Sequence, residues 1–274
     1  MFSYFAEMFS YPFMVRAFVV GTLIALCSSL LGVSLVLKRY SMIGDGLSHV
    51  GFGALAVAKV FNLSPLGLCI PVVTLSSVLL LRLKSSSRIK GDAATALIST
   101  FALAVGVMII SVTTGMNTDV CNYLFGSILS MSRADVTLSI IISIAVIIMF
   151  IYFYNRIFAV TFDETFASAT GTKTQLYNLQ IAILTSLVIV VGMRMIGSLL
   201  ISSLIVIPAT SAMRVCKKFR SVVILSTVIS VVCLWTGLII SYQAAFPTGA
   251  SIVCCDFIVF AVLSVYSKIK GRRR

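Results

Sequence analysis

The stretch Ser41-Met42-Ile43-Gly44-Asp45-Gly46-Leu47-Ser48-His49-Val50 places a carboxylate and the only histidine of the chain inside an otherwise apolar run. Asp45 and His49 are four residues apart, so a helix presents both side chains on one face, one turn apart. An ionisable residue at membrane depth costs about 2.5–3.5 kcal/mol on insertion scales, so such residues often mark a path for ions or protons. We therefore predict that Asp45 and His49 form half of a transition-metal site.

The composition around this stretch excludes a soluble globular protein. Hydrophobic residues make up 59% of the chain, charged residues only 11%, and the mean hydropathy is +1.12. Soluble domains carry about 25% charged residues. Because a span takes about 20 residues, the 274 residues predict a single all-α, polytopic membrane domain, residues 1–274, with eight or nine transmembrane helices.

The net charge of +13 raises the question of nucleic-acid binding, but the distribution of the charges argues against it. The basic residues form short clusters between apolar runs, and the alternation of spans puts nearly all of them on one side. The exceptions are Arg16, Lys59, Arg133 and Arg194. This asymmetry follows the positive-inside rule, so we predict a cytoplasmic C-terminus and no nucleic-acid partner.

The apolar runs divide the chain into candidate spans. These are Arg16–Leu37, Ser41–Val60, Leu66–Leu81, Ala93–Val112, Val136–Tyr154, Leu176–Met193, Ile196–Met213, Val222–Tyr242 and Ala250–Tyr266. Cys121–Met131 is too short to cross the bilayer, so we expect a re-entrant or interfacial helix buried against protein. The aromatic residues 1–13 suit the membrane surface, and residues 156–175 form a cytoplasmic segment.

The depth of Asp45 and His49 favours a role in transport. Arg39 marks the cytoplasmic end of the second span, which places Asp45 about 9 Å and His49 about 15 Å along the helix, near the centre of a roughly 30 Å layer. The neighbouring glycines and serine allow another helix to approach closely. At a two-fold axis, two copies would combine into a His₂Asp₂ set that suits Zn²⁺, Mn²⁺ or Fe²⁺. One copy alone supplies too few ligands, so this interpretation requires a homodimer or further ligands.

Two other interpretations of the pair remain open. Asp45 and His49 could form a structural hydrogen-bonded pair, or they could relay protons. The seven cysteines lack metal-type spacing and lie mostly in apolar runs, where cysteine packs as a small hydrophobic residue. Thiolate ligation by Cys254 and Cys255 is the alternative for those two residues.

The cytoplasmic segment 162–171, FDETFASATG, has the pattern of a short helix. Asp163 and Glu164 suit a helix N-terminus, and Gly171 suits the C-cap. Two phenylalanines in this segment would be exposed, which predicts a docking element for another protein; the alternative is an ordinary interfacial loop. The chain contains no P-loop pattern, so we expect no ATP binding of that kind and no enzymatic activity of its own.

Six blocks in order along the chain carry a family resemblance. They are Leu31-Gly32-Val33 through Lys38-Arg39 and SMIGDGLSHV, Asp92-Ala93-Ala94, Tyr123–Leu129, Phe162-Asp163 with Ala167, Ala169 and Gly171, Gly197–Ile207 with Pro208-Ala209, and Pro247-Thr248-Gly249. These blocks resemble the membrane permease subunits of bacterial ABC importers for zinc, manganese and iron. The resemblance implies a homodimer in the bacterial cytoplasmic (inner) membrane, with a cytoplasmic ABC ATPase beneath each copy. It also implies an extracytoplasmic metal-binding protein.

The resemblance also implies roles for individual residues. Asp45 and His49 would be the ligands of a divalent metal in transit, with no permanently bound cofactor. The coupling helix that transmits ATPase motion would comprise Phe162, Asp163, Glu164, Phe166, Ala167 and Gly171. The family often has Pro-Glu where Glu164-Thr165 stand, and alanine in place of Gly46. The alternative function is a secondary cation transporter or channel that works without an ATPase.

Overall fold

The computed structural model describes residues 8, 10–86, 91–113 and 133–271, and all regular secondary structure in these ranges is α-helical. The helices are α1 (Pro12–Leu37), α2 (Met42–Val60), α3 (Pro65–Ser86), α4 (Gly91–Thr113), α5 (Arg133–Tyr152), α6 (Tyr154–Phe162), α7 (Glu164–Ala169), α8 (Thr174–Ile196), α9 (Ser198–Val215), α10 (Phe219–Ala244) and α11 (Thr248–Gly271). The helix expected at Cys121–Met131 lies outside the described residues, as does most of the segment 1–13.

Eight of these helices are long and apolar enough to cross a membrane, namely α1, α3, α4, α5, α8, α9, α10 and α11. The predicted all-α, polytopic membrane fold is therefore confirmed. Helix α2 has 19 residues, which corresponds to about 28 Å. It is long enough to span, but Asp45, His49 and Lys59 lower its hydropathy below that of the other eight. This difference is the physical reason why the sequence fits both eight and nine spans.

The central helix of the bundle is α1, which packs against α5, α8, α9 and α10. Its contact with α9 is the tightest, because a Cβ atom built on Gly32 would lie only 2.0 Å from the carbonyl oxygen of Ile205. Small residues permit such close helix contacts in membrane proteins. Gly197 separates α8 from α9 with a φ of 96°, a backbone conformation that favours glycine.

The segment 156–175, expected from the sequence to be cytoplasmic, is more helical than predicted. The predicted span Val136–Tyr154 ends at Tyr152, and the separate helix α6 follows it. Helix α6 buries Ile157, Val160 and Thr161, which recur at the three- and four-residue spacing of an amphipathic helix. That pattern was present in the sequence, but it covers only nine residues.

Contacts between helix ends define one end of the bundle. Lys38 lies beside Glu164, Phe162 packs near Phe219, and the Ser267 hydroxyl donates to the carbonyl oxygen of Arg214. Described members of three basic clusters, around Lys38, Arg214 and Lys268, therefore lie at the end that carries α6 and α7. This clustering agrees with the charge asymmetry predicted from the sequence.

Candidate metal site and docking helix

Asp45 and His49 lie on one face of α2, as their spacing predicts. The His49 Nε2 atom is 3.6 Å from Asp45 Oδ2, too long for a well-formed hydrogen bond. The Asp45 side chain is 48% exposed and that of His49 is 23% exposed in the single chain. The two groups are therefore neighbours that point to a common space and are accessible from outside the bundle.

The imidazole of His49 is incompletely satisfied. Its Nδ1 atom is buried and has no hydrogen-bond partner among the described residues. A buried ring nitrogen normally donates or accepts a hydrogen bond, and a metal-bound histidine normally uses its other nitrogen to fix its orientation. The single chain thus leaves a polar atom at this site without its usual partner.

An open cleft of about 220 Å³ adjoins the pair. Its walls come from α2 and α4, and the lining residues are Met42, Asp45, Gly46, His49, Thr95, Ala96, Ser99, Thr100 and Leu103. Since a water molecule occupies about 30 Å³ in the liquid, the cleft has room for an ion that keeps several waters. Carboxylate, imidazole and hydroxyl groups face the same space, and all three are ligands for divalent metals.

The cleft opens at the surface of the single chain. On α4, the apolar side chains of Leu97 and Phe101 beside it are 64% and 72% exposed. Hydrophobic side chains exposed around a polar cleft are typical of a surface covered by lipid or by another protein chain. Asp45 and His49 are therefore not sealed inside one copy.

The glycines of α2 pack within the chain, which corrects one step of the sequence interpretation. A Cβ atom on Gly46 would lie 2.4 Å from Thr95 Cγ2, and one on Gly53 would lie 2.7 Å from the Ala102 carbonyl oxygen. These two glycines bring α2 against α4, and a Cβ on Gly51 would meet Met193 of α8. The glycine pattern is therefore explained by helices of the same chain and does not itself indicate contact between copies.

A single chain does not contain a complete metal site in the ranges that the structure describes. No group of three or more His, Cys, Asp or Glu residues is close enough there to hold an ion. Asp256 is fully buried in α11 near the Cys233 thiol, and it does not line the cleft. Cys254 is exposed on the same helix. The sequence-predicted requirement for ligands beyond Asp45 and His49 agrees with this arrangement.

Helix α7 forms where the sequence predicts a short helix. We call it the docking helix after the role that the sequence predicts for it. The Asp163 carboxylate caps it, accepting a hydrogen bond of 2.9 Å from the Phe166 backbone N–H. At the other end, Gly171 has a φ of 83°, and the N–H groups of Gly171 and Thr172 donate to the carbonyls of Ser168 and Ala167. This is a Schellman motif, so Gly171 lies one residue beyond the cap.

The docking helix presents aromatic side chains and buries one alanine. Phe162, just before it, and Phe166 within it are 62% and 66% exposed, whereas Ala167 is 1% exposed. Phe158 supports the aromatic surface from α6, with its ring centroid 5.1 Å from that of Phe162. Exposed aromatic rings on a well-capped helix are suited to a protein contact.

Glu164 connects the docking helix to two other elements. The Lys38 ammonium lies 3.5 Å from Glu164 Oε2, and the Asn178 amide donates a 2.7 Å hydrogen bond to Glu164 Oε1. Burial lowers the pKa of Lys38, while the charge of Glu164 acts in the opposite direction. From the sequence, Lys38 is part of a basic cluster and of the first family block, and Asn178 is not singled out, because nothing local in the sequence pairs Lys38 with a residue 140 positions away.

Residues 10–267 match the model of the ABC 3 transport family. The chain belongs to the ABC 3 transport family. The match covers nearly the whole bundle, including α2 and the docking helix. The family resemblance found in the sequence blocks is therefore confirmed.

Individual relatives agree with this membership. The chain is 28% identical to the manganese import system permease protein ScaB of Streptococcus gordonii, over 92% of this chain and 90% of that protein. It is also 28% identical to the high-affinity zinc uptake system membrane protein ZnuB of Haemophilus influenzae, over 92% and 96% of the two chains. Among solved structures, PsaBC from Streptococcus pneumoniae in complex with Fab has a TM-score of 0.86 at 25% identity, covering 98% of this chain and 100% of that one.

Proposed function

We propose that this chain is the membrane permease of an ATP-driven importer for a divalent transition metal. The observation that carries the proposal is the family match across residues 10–267. Relatives that import manganese and zinc support a metal as cargo. The competing interpretation, a secondary transporter or channel without an ATPase, is not favoured by this membership.

The metal path runs past Asp45 and His49 at the contact of two copies. Each copy contributes one carboxylate and one imidazole on the open cleft, so a two-fold axis there would supply four ligands. Two carboxylates would neutralise the charge of a divalent ion, which the membrane otherwise excludes. The nitrogen and oxygen donors suit manganese, zinc and iron, and selection among them depends on geometry and metal supply.

We assign the remaining partners to the two ends of the bundle. A cytoplasmic ATPase binds the docking helix beneath each copy, and an extracytoplasmic binding protein delivers metal at the opposite end. The protein resides in the cytoplasmic membrane of a bacterium, with the basic end and the C-terminus facing the cytoplasm. The exposed Phe162 and Phe166 support the ATPase contact, and the clustered lysines and arginines support the orientation.

Uptake by the complete transporter tests the proposal. Permease, ATPase and binding protein are reconstituted in liposomes, and ATP-dependent entry of Mn²⁺, Zn²⁺ and Fe²⁺ is measured for wild type, Asp45→Ala and His49→Ala. We expect the wild type to import at least one of these ions and both variants to lose import while still assembling with the ATPase.

Asp256→Asn is the matched control. It removes a fully buried carboxylate that lies outside the cleft, with little change of shape. We expect this variant to retain import. Absence of ATP-dependent import of all three ions by the wild type would contradict the function, and full import by both cleft variants would contradict the path.

A further inference from the structure

A buried lysine joins three cytoplasmic elements of the chain. Lys38 follows the last residue of α1, and its side chain is only 7% exposed. Its ammonium lies 3.5 Å from Glu164 Oε2 and also donates to the Asn178 side-chain oxygen. Asn178 in turn donates to Glu164 Oε1 at 2.7 Å. The end of α1, the docking helix and the first turns of α8 are therefore held by one closed triangle of polar contacts.

This triangle differs from an ordinary surface ion pair. An exposed pair is screened by water and contributes little, but a lysine whose side chain is only 7% exposed depends more on its partners. The Glu164 side chain, by contrast, is 49% exposed, on the docking helix, which faces the cytoplasm in the proposed orientation. The Glu164–Lys38 contact thus joins an exposed residue of the docking helix to a buried lysine at the end of α1.

From Lys38 the chain continues directly to the metal site. The backbone N–H groups of Lys38, Arg39 and Tyr40 donate to carbonyls in the last turn of α1, and the N–H of Ile43 donates to the carbonyl of Tyr40. Arg39 has a φ of 58°, which makes the turn tight. Helix α2 begins at Met42, with Asp45 in its first turn. The connection from Lys38 to Asp45 is therefore short and hydrogen-bonded.

We propose that Lys38 is a positioning residue for transport, because its contacts with Glu164 and Asn178 make the start of α2 move together with the docking helix. The inference rests on the proposed function, in which the ATPase acts on that helix. A displacement of the docking helix would shift the Lys38 ammonium, the turn that follows it and the Asp45 carboxylate in the cleft. Lys38 itself does not contact the metal.

A double-mutant cycle in the reconstituted complex tests this linkage. Lys38→Met, Glu164→Gln and the double variant are compared with wild type, using Mn²⁺ and Zn²⁺ as probes, and the readout is metal ions imported per ATP hydrolysed. We expect each single change to lower this ratio about fivefold or more with ATPase binding retained, because the coupling between the sites is lost. The double variant should be no worse than either single variant. Lys268→Met is the control, since Lys268 is an exposed lysine at the same end on α11, and it should leave the ratio unchanged.

The experiment distinguishes failure of the proposed function from failure of the Lys38 linkage. If the wild type imports neither ion with ATP, the proposed function fails. If the wild type imports metal and both single variants keep the wild-type ratio, only the linkage is wrong. A double variant whose loss equals the product of the single losses also overturns it, because the two residues then act independently. Should Lys38→Met not assemble, Glu164→Gln decides alone, since half of that side chain is exposed and glutamine keeps its size and shape.

Discussion

Replacement of Gly32 by alanine probes the close contact between α1 and α9. A Cβ atom at this position would lie 2.0 Å from the Ile205 carbonyl oxygen and 2.9 Å from its carbon, whereas ordinary contacts begin at 3.4 Å. Because the atoms in the way belong to the Ile205 backbone, which cannot rotate aside, α1 and α9 must move apart. Overpacking of this kind costs about 1–3 kcal/mol or more. Alanine regains at most about 1 kcal/mol of helix propensity over glycine, so we expect a net loss of stability.

Gly21→Ala on the same helix is the control. There the new Cβ meets the Leu234 side chain at 3.2 Å, and the end of a leucine can turn aside. Thermal unfolding of both variants in one detergent provides the measurement. Each kcal/mol corresponds to about 2–4 °C in domains of comparable size. Gly32→Ala should unfold several degrees below wild type and Gly21→Ala close to it. A Gly32→Ala variant as stable as wild type would refute the close α1–α9 contact.

Three further predictions concern the site and its supports. Gly46→Ala should retain import with a weaker apparent affinity for metal, because its Cβ would displace Thr95 at the cleft wall; initial uptake rates at varied metal concentration measure this. Asp163→Ala should weaken binding of the ATPase to the purified permease about fivefold, since losing a helix cap costs about 1 kcal/mol; unchanged affinity would exclude the docking role. Arg194→Met should destabilise the fold by about 2 kcal/mol, because it removes the guanidinium that lies 2.9 Å from the Asp135 carboxylate, and adding Asp135→Asn should restore part of the loss in thermal unfolding.

The features predicted correctly from the sequence are those that local physics determines. The four-residue spacing places Asp45 and His49 on one face of any helix, whatever surrounds it. The Asp163 side chain caps the start of the docking helix, and Gly171 ends it because glycine adopts a positive φ easily. Both effects act within a few residues, so the sequence predicts both ends. Apolar length alone locates most spans.

The features that were missed depend on residues distant in sequence. The partners of Gly46 and Gly53 lie on α4, and a glycine pattern indicates close packing without naming the neighbouring helix. The contacts of Lys38 with Glu164 and Asn178 arise only when three elements meet at one end of the bundle. The distribution of basic residues predicts the orientation of the chain in the membrane, but it does not predict that the Lys38 side chain is buried.

Direct observation of the ion tests the central claim most sharply. A cryo-electron microscopy structure of the complete transporter, trapped with Zn²⁺ in the membrane domain, would locate the metal relative to both copies. We predict Zn²⁺ between the two α2 helices, within about 2.0–2.2 Å of Asp45 and His49 side-chain atoms from each copy. Zinc bound away from these residues, or Asp45–His49 pairs too far apart to share one ion, would contradict the account.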